Sequence, residues 1–244
     1  MSFENKTAIV TGGTGSLGRF VVNRFAEEKM NVYVPVRSID EFRKVFDNSQ
    51  TENTDQEFNL RKIYGLQCDV LSEAEVKQFI SDVTKREGKI DYLVNTVGGY
   101  HPKKMLVDME SDLVDKMMDL NFKSTFFFCK NVLSNMIANN FGRVVAIASM
   151  PAVEITQGRF AYSVSKAGVV NLIQTIAEEY KSNNITANVI VPSVIDTPAN
   201  RASMPKAEFD KWVKPEDIAE TILFLVSDFA ASFRGNVIKM YGKV

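Results

Sequence analysis

The chain has 244 residues, with 29 basic and 30 acidic side chains and a formal net charge of -1. That balance, with no lysine or arginine block, gives no electrostatic footprint for nucleic acid. One histidine and two cysteines leave little for a zinc site or a disulfide framework. The length suits one large α/β domain or two small ones, and it is enough to bury a sizeable core.

The first residues, Met1 to Lys6, lack the apolar stretch of a signal peptide. No apolar run approaches the roughly 18 residues of a membrane span. The expectation is a cytoplasmic protein with no membrane partner. Cys68 and Cys129 sit in apolar contexts and read as buried free thiols. His101 precedes Pro102 and reads as a loop residue rather than a base. The polar stretch Asp47 to Glu57 reads as an inserted loop.

Thr7 to Val10 is a short apolar strand. It runs into Thr11-Gly12-Gly13-Thr14-Gly15-Ser16-Leu17-Gly18, and an amphipathic helix carrying Val21, Val22, Phe25 and Ala26 follows. Strand, glycine turn and helix is the setting of a dinucleotide fingerprint. Glycine lets main chain approach a pyrophosphate, and the helix N-terminus offers that anion free N–H groups. Gly12, Thr14, Gly15, Ser16, Leu17 and Gly18 are therefore candidate phosphate contacts.

Asn31 to Val36 reads as the second strand, with Arg37 at the corner where an acidic residue would take ribose hydroxyls. A guanidinium suits a 2′-phosphate, so NADP(H) is favoured over NAD(H). The plain alternative is a solvated charge at a strand end. Ile63 to Val70 reads as a third strand ending at Asp69, which either meets an adenine edge or bounds a turn. Ser72 then caps a helix, with Glu75 at the capping-box position. A fourth strand, Ile90 to Val94, ends in Asn95-Thr96-Val97-Gly98-Gly99, bringing main chain near a ligand at the sheet edge.

Met109 to Asn140 reads as one long helix or two joined ones, with Asn121 marking a junction or a distortion that frees a carbonyl. Phe126-Phe127-Phe128 makes it apolar on several faces, as a helix in the core or in a subunit contact would be. Arg143 to Ala148 is a fifth strand, Tyr162 to Lys181 a helix, and Thr186 to Val191 a sixth strand. Pro215 opens a last helix and Asn236 to Met240 is a final strand. Alternating strands and helices predict one domain with a doubly wound parallel sheet, helices on both faces, and ligand at the strands' carboxyl ends.

Tyr162 and Lys166 are four residues apart on a helix, so phenol and ammonium share a face. The ammonium is expected to lower the phenol from its usual pKa of about 10. Ser149 ends the fifth strand thirteen residues before Tyr162 and is placed to face the phenol. Tyr100 and Lys104 repeat the spacing, but Pro102 between them argues against a helical register.

The ordered set Thr11-Gly12 with Gly18, Asp69-Val70, Asn95-Thr96-Val97-Gly98, Asn121, Ser149, Tyr162 with Lys166, and Pro192 through Thr197 resembles the short-chain dehydrogenase/reductase family over nearly the whole chain. The resemblance implies a Rossmann-like fold of seven strands and NAD(P)(H)-dependent hydride transfer to or from a carbonyl or alcohol substrate. It implies a dimer or tetramer through the helices around 109–140 and 162–181. By the same resemblance Tyr162 moves the proton, Lys166 lowers its pKa and holds the nicotinamide ribose, and Ser149 binds the substrate oxygen. Asn121 holds a relay water through its carbonyl, and Ile195 and Thr197 hold the carboxamide. Asp69, Val70, Asn95, Val97, Gly98 and Pro192 complete the cofactor contacts.

Ser16 stands where short members usually carry glycine, Ser193 where glycine follows the proline, and Val97 where alanine is usual. The segment Asp196 to Trp212, and Gly98-Gly99 before Tyr100, resemble the dihydropteridine reductase branch, but Ser149 and Arg37 do not. A quinonoid dihydropteridine reductase is thus the alternative activity. A nucleotide-binding sensor without catalysis is the alternative class. Residues 197–213 are expected to form a substrate loop or lid.

Overall fold

The computed structural model describes residues 2–46 and 62–243, so the expected loop Asp47 to Glu57 lies outside the described residues. Among them the strands are β1 (Thr7–Thr11), β2 (Asn31–Val36), β3 (Ile63–Gln67), β4 (Tyr92–Asn95), β5 (Gly142–Ile147), β6 (Ile185–Pro192) and β7 (Val237–Met240). They form one seven-stranded sheet in the order β3-β2-β1-β4-β5-β6-β7, and every pairing is parallel. The helices are α1 (Gly18–Glu27), α2 (Ile39–Phe46), α3 (Glu73–Glu87), α4 (Ser111–Met117), α5 (Ser124–Ala138), α6 (Phe160–Glu179), α7 (Pro198–Ser203) and α8 (Pro215–Val226).

A parallel sheet needs cover on both faces, and strand alternation divides its side chains accordingly. Ala8 and Val10 of β1 face one core with Val21, Val22 and Phe25 of α1 and Ile218 and Ile222 of α8. Ile9, one residue between them, faces the other core with Phe79 of α3, Phe128 of α5 and Ile173 of α6. The two layers leave the carboxyl ends of β1 and β4 at the reversal of strand order, where a doubly wound sheet opens a crevice.

The structure departs from expectation at β3 and at a helix after β2. β3 stops at Gln67 rather than Asp69, because its partner β2 ends at Val36 and Cys68 N makes the last bond across, to Val36 O at 2.9 Å. The stretch Met109 to Asn140 is, as one of its two expected forms, a pair of joined helices; a π turn, Met118–Lys123, makes the junction, with Asn121 inside it. Helix α2 was not expected; its Phe42 and Phe46, four residues apart, pack beneath β2 and β3. Ser72 caps α3 as expected, accepting from Glu75 N, but Glu75 Oε2 reaches back to Asp69 N at 2.9 Å and not to the cap itself. Cys68 and Cys129 are buried and free. Among the described residues no helix is long and apolar enough to cross a membrane.

Candidate active site

The loops after β1 and β4 meet first. Thr11 pairs with Asn95, and Thr96 Oγ1 donates to Thr11 O at 2.7 Å. Gly12 follows at φ +67°, and a Cβ there would stand 2.9 Å from Thr96 Oγ1 and 3.0 Å from Val97 N, so only glycine fits. Gly15 N donates to Gly12 O at 2.9 Å, which closes the turn without glycine at position 16; Ser16 is exposed. Leu17 is buried and sets the start of α1, while Thr14 and Gly15 lie at the surface side of the turn.

An open groove of about 680 Å³ runs from Ser16 and Arg19 to Thr197, Pro198 and Arg201. It joins the glycine turn to the loop after β6. Thr197 caps α7, its Oγ1 accepting from Asn200 N at 3.2 Å. Accepting leaves the hydroxyl proton free to donate elsewhere. Asp196 holds Arg201 through two bonds of 2.6 and 2.7 Å. Ile195 pairs in parallel with Val213, and its carbonyl takes Asn200 Nδ2 at 2.8 Å. Trp212 is buried and its ring lies 4.8 Å from that of Phe209. It therefore anchors the base of the 197–213 segment rather than riding on its tip. Arg37 is exposed where β2 ends, and Asp69 is exposed beside it, its Oδ1 taking Leu71 N at 3.0 Å.

The second half gathers on β4, β5 and α6. Asn95 is buried, with its Oδ1 3.3 Å from Thr11 Oγ1 and its Nδ2 3.6 Å from Cys129 Sγ, so its amide ties β1 to α5. Asn121 is fully buried in the π turn. Its Oδ1 accepts from Gly99 N at 2.7 Å and its Nδ2 donates to Ser165 Oγ at 2.9 Å, which fixes the loop after β4 against α6. Its carbonyl accepts from Thr125 Oγ1 at 3.1 Å.

Ser149 follows β5, and its hydroxyl stands near enough to the Tyr162 phenol to help hold that group's pKa down. Lys166 Nζ donates to Ile147 O at 2.8 Å, at the end of the same strand. Phenol and ammonium thus share the β5-facing side of α6, as the spacing predicts. Gly98 passes close against Lys166 Nζ and Asn121 Oδ1. The expected electrostatics differ. Burial raises the Tyr162 pKa above its usual value, with Ser149 and Arg159 pulling it down and Tyr100 pushing it up. Lys166 is not among the groups that move it; its amine donates to Ile147 O and is itself lowered to about 8 by burial.

That burial has a consequence for stability. Between pH 8 and 10.5 the unfolded chain holds the Lys166 proton and the folded chain does not, so stability contributed by this group rises with pH across that window. Below it a charged amine is kept buried at a cost. Lys166→Met is therefore expected to stabilise the cofactor-free fold at pH 7 by on the order of 1–3 kcal/mol, and by less at pH 10. Thermal melts at the two pH values check this; equal midpoints for both proteins at pH 7 would mean the amine is well solvated.

The Tyr100–Lys104 pair does not form a helical face, and Lys104 turns to Glu110. Yet the Tyr100 ring meets the Tyr162 ring edge-on at 5.2 Å. No sequence spacing marks that contact. Arg159 was likewise missed, although it stands three residues before Tyr162.

A glycine turn at a switch point, with serine, tyrosine and lysine converging across it, defines a nicotinamide-dinucleotide oxidoreductase of the doubly wound class. The model of the short chain dehydrogenase family matches residues 6–208, and the chain belongs to that family. It is 31% identical to a 7alpha-hydroxysteroid dehydrogenase of Paraclostridium sordellii, over 98% of this chain and 91% of that one. It is 27% identical to a 3-oxoacyl-[acyl-carrier-protein] reductase of Thermotoga maritima, over 99% and 98%. The crystal structure of gox2181 superposes with a TM-score of 0.89 at 27% identity, covering 99% of this chain and 96% of that one. The protein is an oxidoreductase acting on CH–OH or C=O groups. The likeness of the 196–212 segment to dihydropteridine reductase gains no support from these relatives.

Proposed function

We propose that the chain reduces a small carbonyl compound, or oxidises the matching alcohol, with Tyr162 as proton donor and acceptor and NADP(H) as preferred dinucleotide. The observation that carries this reading is that Ser149 stands by the Tyr162 phenol with Lys166 on the same side of α6.

The residues present suit the dinucleotide: Gly12 leaves main chain bare where a side chain would close the turn. Gly12, Thr14, Gly15, Ser16, Leu17 and Gly18 would hold the pyrophosphate, with the N-terminus of α1 behind them. Arg37 would take the 2′-phosphate, and Asp69 and Val70 the adenine. Asn95, Val97, Gly98, Pro192, Ile195 and Thr197 would frame the nicotinamide half. When bound, the cofactor supplies the hydride. The protein's own part is the proton. Ser149 Oγ hydrogen-bonds the substrate oxygen, and Tyr162 donates to it as negative charge develops. Lys166 keeps two N–H groups beyond the one on Ile147 O, and these would reach ribose hydroxyls. Asn121 would hold a relay water through its carbonyl.

The segment 197–213 would cover the substrate, hinged on Trp212. Phe126 and Phe127 remain half-exposed on α5, which supports a homodimer or homotetramer through α5 and α6, to be tested by light scattering. A cofactor-oxidation screen with NADPH and NADH against ketones, acyl thioesters and a quinonoid pterin tests the activity. No oxidation with any carbonyl would overturn it. Arg37→Asp is expected to shift the NADPH-to-NADH ratio of kcat/KM by at least about tenfold toward NADH. An unchanged ratio would make Arg37 a solvated charge.

A further inference from the structure

Two loops form the rim beside the catalytic phenol: 100–104 after β4 and 154–159 before α6. They are stitched together. Lys104 N donates to Gly158 O at 3.0 Å, and Lys103 Nζ donates to Gln157 Oε1 at 2.8 Å. Arg159 ends the second loop at the N-cap of α6. Its guanidinium lies over the Tyr100 ring, 4.5 Å from the centroid, and its Nη1 donates to His101 O at 2.8 Å. Tyr100 in turn touches Tyr162. One aromatic ring therefore separates this cation from the proton donor.

The charge at this rim is not balanced from within. Among the described residues neither Arg159 nor Lys103 has an ion-pair partner; both are bonded to neutral groups. The nearby carboxylates are engaged elsewhere. Glu154 takes Lys239 Nζ at 3.0 Å and Tyr241 OH at 2.9 Å, and Glu110 takes Lys104. One of the five guanidinium N–H groups is used on His101 O, which leaves a fork able to bind an oxoanion. His101 is buried with its Nδ1 2.7 Å from Pro102 O, so its ring is held within the 100–104 loop.

We propose that Arg159 determines substrate specificity: it receives the anionic group, a carboxylate or a phosphate, of a carbonyl substrate whose reacting oxygen lies on Tyr162. The proposal rests on the oxidoreductase activity of the same cleft. Arginine binds such groups through parallel N–H bonds, and among the described residues no carboxylate is paired with this one.

Matched substrate pairs test it. Phenylglyoxylate against its methyl ester tests a carboxylate, and dihydroxyacetone phosphate against dihydroxyacetone tests a phosphate. For wild type, R159Q and R159K the readout is the anion-to-neutral ratio of kcat/KM with NADPH, which cancels any general effect on the phenol. At least one wild-type ratio is expected to favour the anion tenfold or more, to collapse at least tenfold in R159Q mainly through KM, and to recover in part in R159K. A ratio unmoved by R159Q would overturn the proposal and leave Arg159 as a strut for Tyr100 and His101. A second measurement needs neither turnover nor a variant. Calorimetric titration of the cofactor-bound wild type with benzoate and with benzamide is expected to show tighter binding of benzoate, by tenfold or more. Equal affinities would overturn the proposal. If no carbonyl is reduced at all, the assigned activity fails, while the benzoate titration still decides whether the rim binds an anion.

Discussion

Tyr162→Phe is expected to lower turnover by roughly 10²–10⁴-fold, the range a positioned general acid contributes. Only the hydroxyl is removed. The ring keeps its edge contact with Tyr100, and Phe160–Glu179 keeps its helical packing on β5 and β6. Cofactor affinity should therefore stay within about threefold, because the phosphate and adenine contacts lie on other loops. The protonation state adds a sign. Burial raises the phenol above its usual value, so the cofactor-free enzyme holds Tyr162 protonated at neutral pH and ready to donate. Carbonyl reduction needs that form. Alcohol oxidation needs the deprotonated form, so its rate should rise with pH while the reductive rate does not. Stopped-flow reduction and an NADPH fluorescence titration separate the two effects. Wild-type rates in the variant would remove Tyr162 from the chemistry.

The sheet could be read from the chain because its signals are local. Ala8, Ile9 and Val10 are apolar without a break, as a strand buried on both faces must be, and a glycine turn and a helix follow at once. Asn121 was legible for a similar reason. Asparagine is a poor helix former, and the structure places it in a π turn where its amide bridges two elements. What the chain could not show is depth. The spacing of Tyr162 and Lys166 sets their shared face but says nothing of desolvation, which reverses the expected direction of the phenol shift. Helix α2 was hidden because Asp40, Glu41, Arg43 and Lys44 dominate its sequence and only Phe42 and Phe46 are fully buried, with Ile39 and Val45 packed beside them. Tyr100 and His101 meet Arg159 across 59 and 58 residues of chain, and no periodicity encodes such a contact.

Gly18→Ala is expected to damage the dinucleotide turn more than any other single methyl group placed there. A Cβ at position 18 would fall 2.1 Å from Gly12 O, 2.7 Å from Gly12 C and 2.8 Å from Gly13 Cα. All three are backbone atoms, so no rotamer change relieves the clash. Gly12 O also accepts the Gly15 N–H that closes the turn. Pushing it away opens the path on which the phosphates would lie and lifts α1 from β1. Overpacking of this kind destabilises by about 1–3 kcal/mol, or roughly 2–12 °C in a domain of this size. NADPH affinity should fall by at least about tenfold, since helix N-terminus and turn must both be in place to meet the pyrophosphate. Gly15→Ala supplies the contrast. Its Cβ would meet only Gly12 O, at 3.1 Å, in an exposed part of the turn, and its melting temperature should stay within a degree or two of wild type. A Gly18→Ala protein that binds NADPH as tightly as the parent would show that the close approach at this turn has nothing to do with holding the dinucleotide.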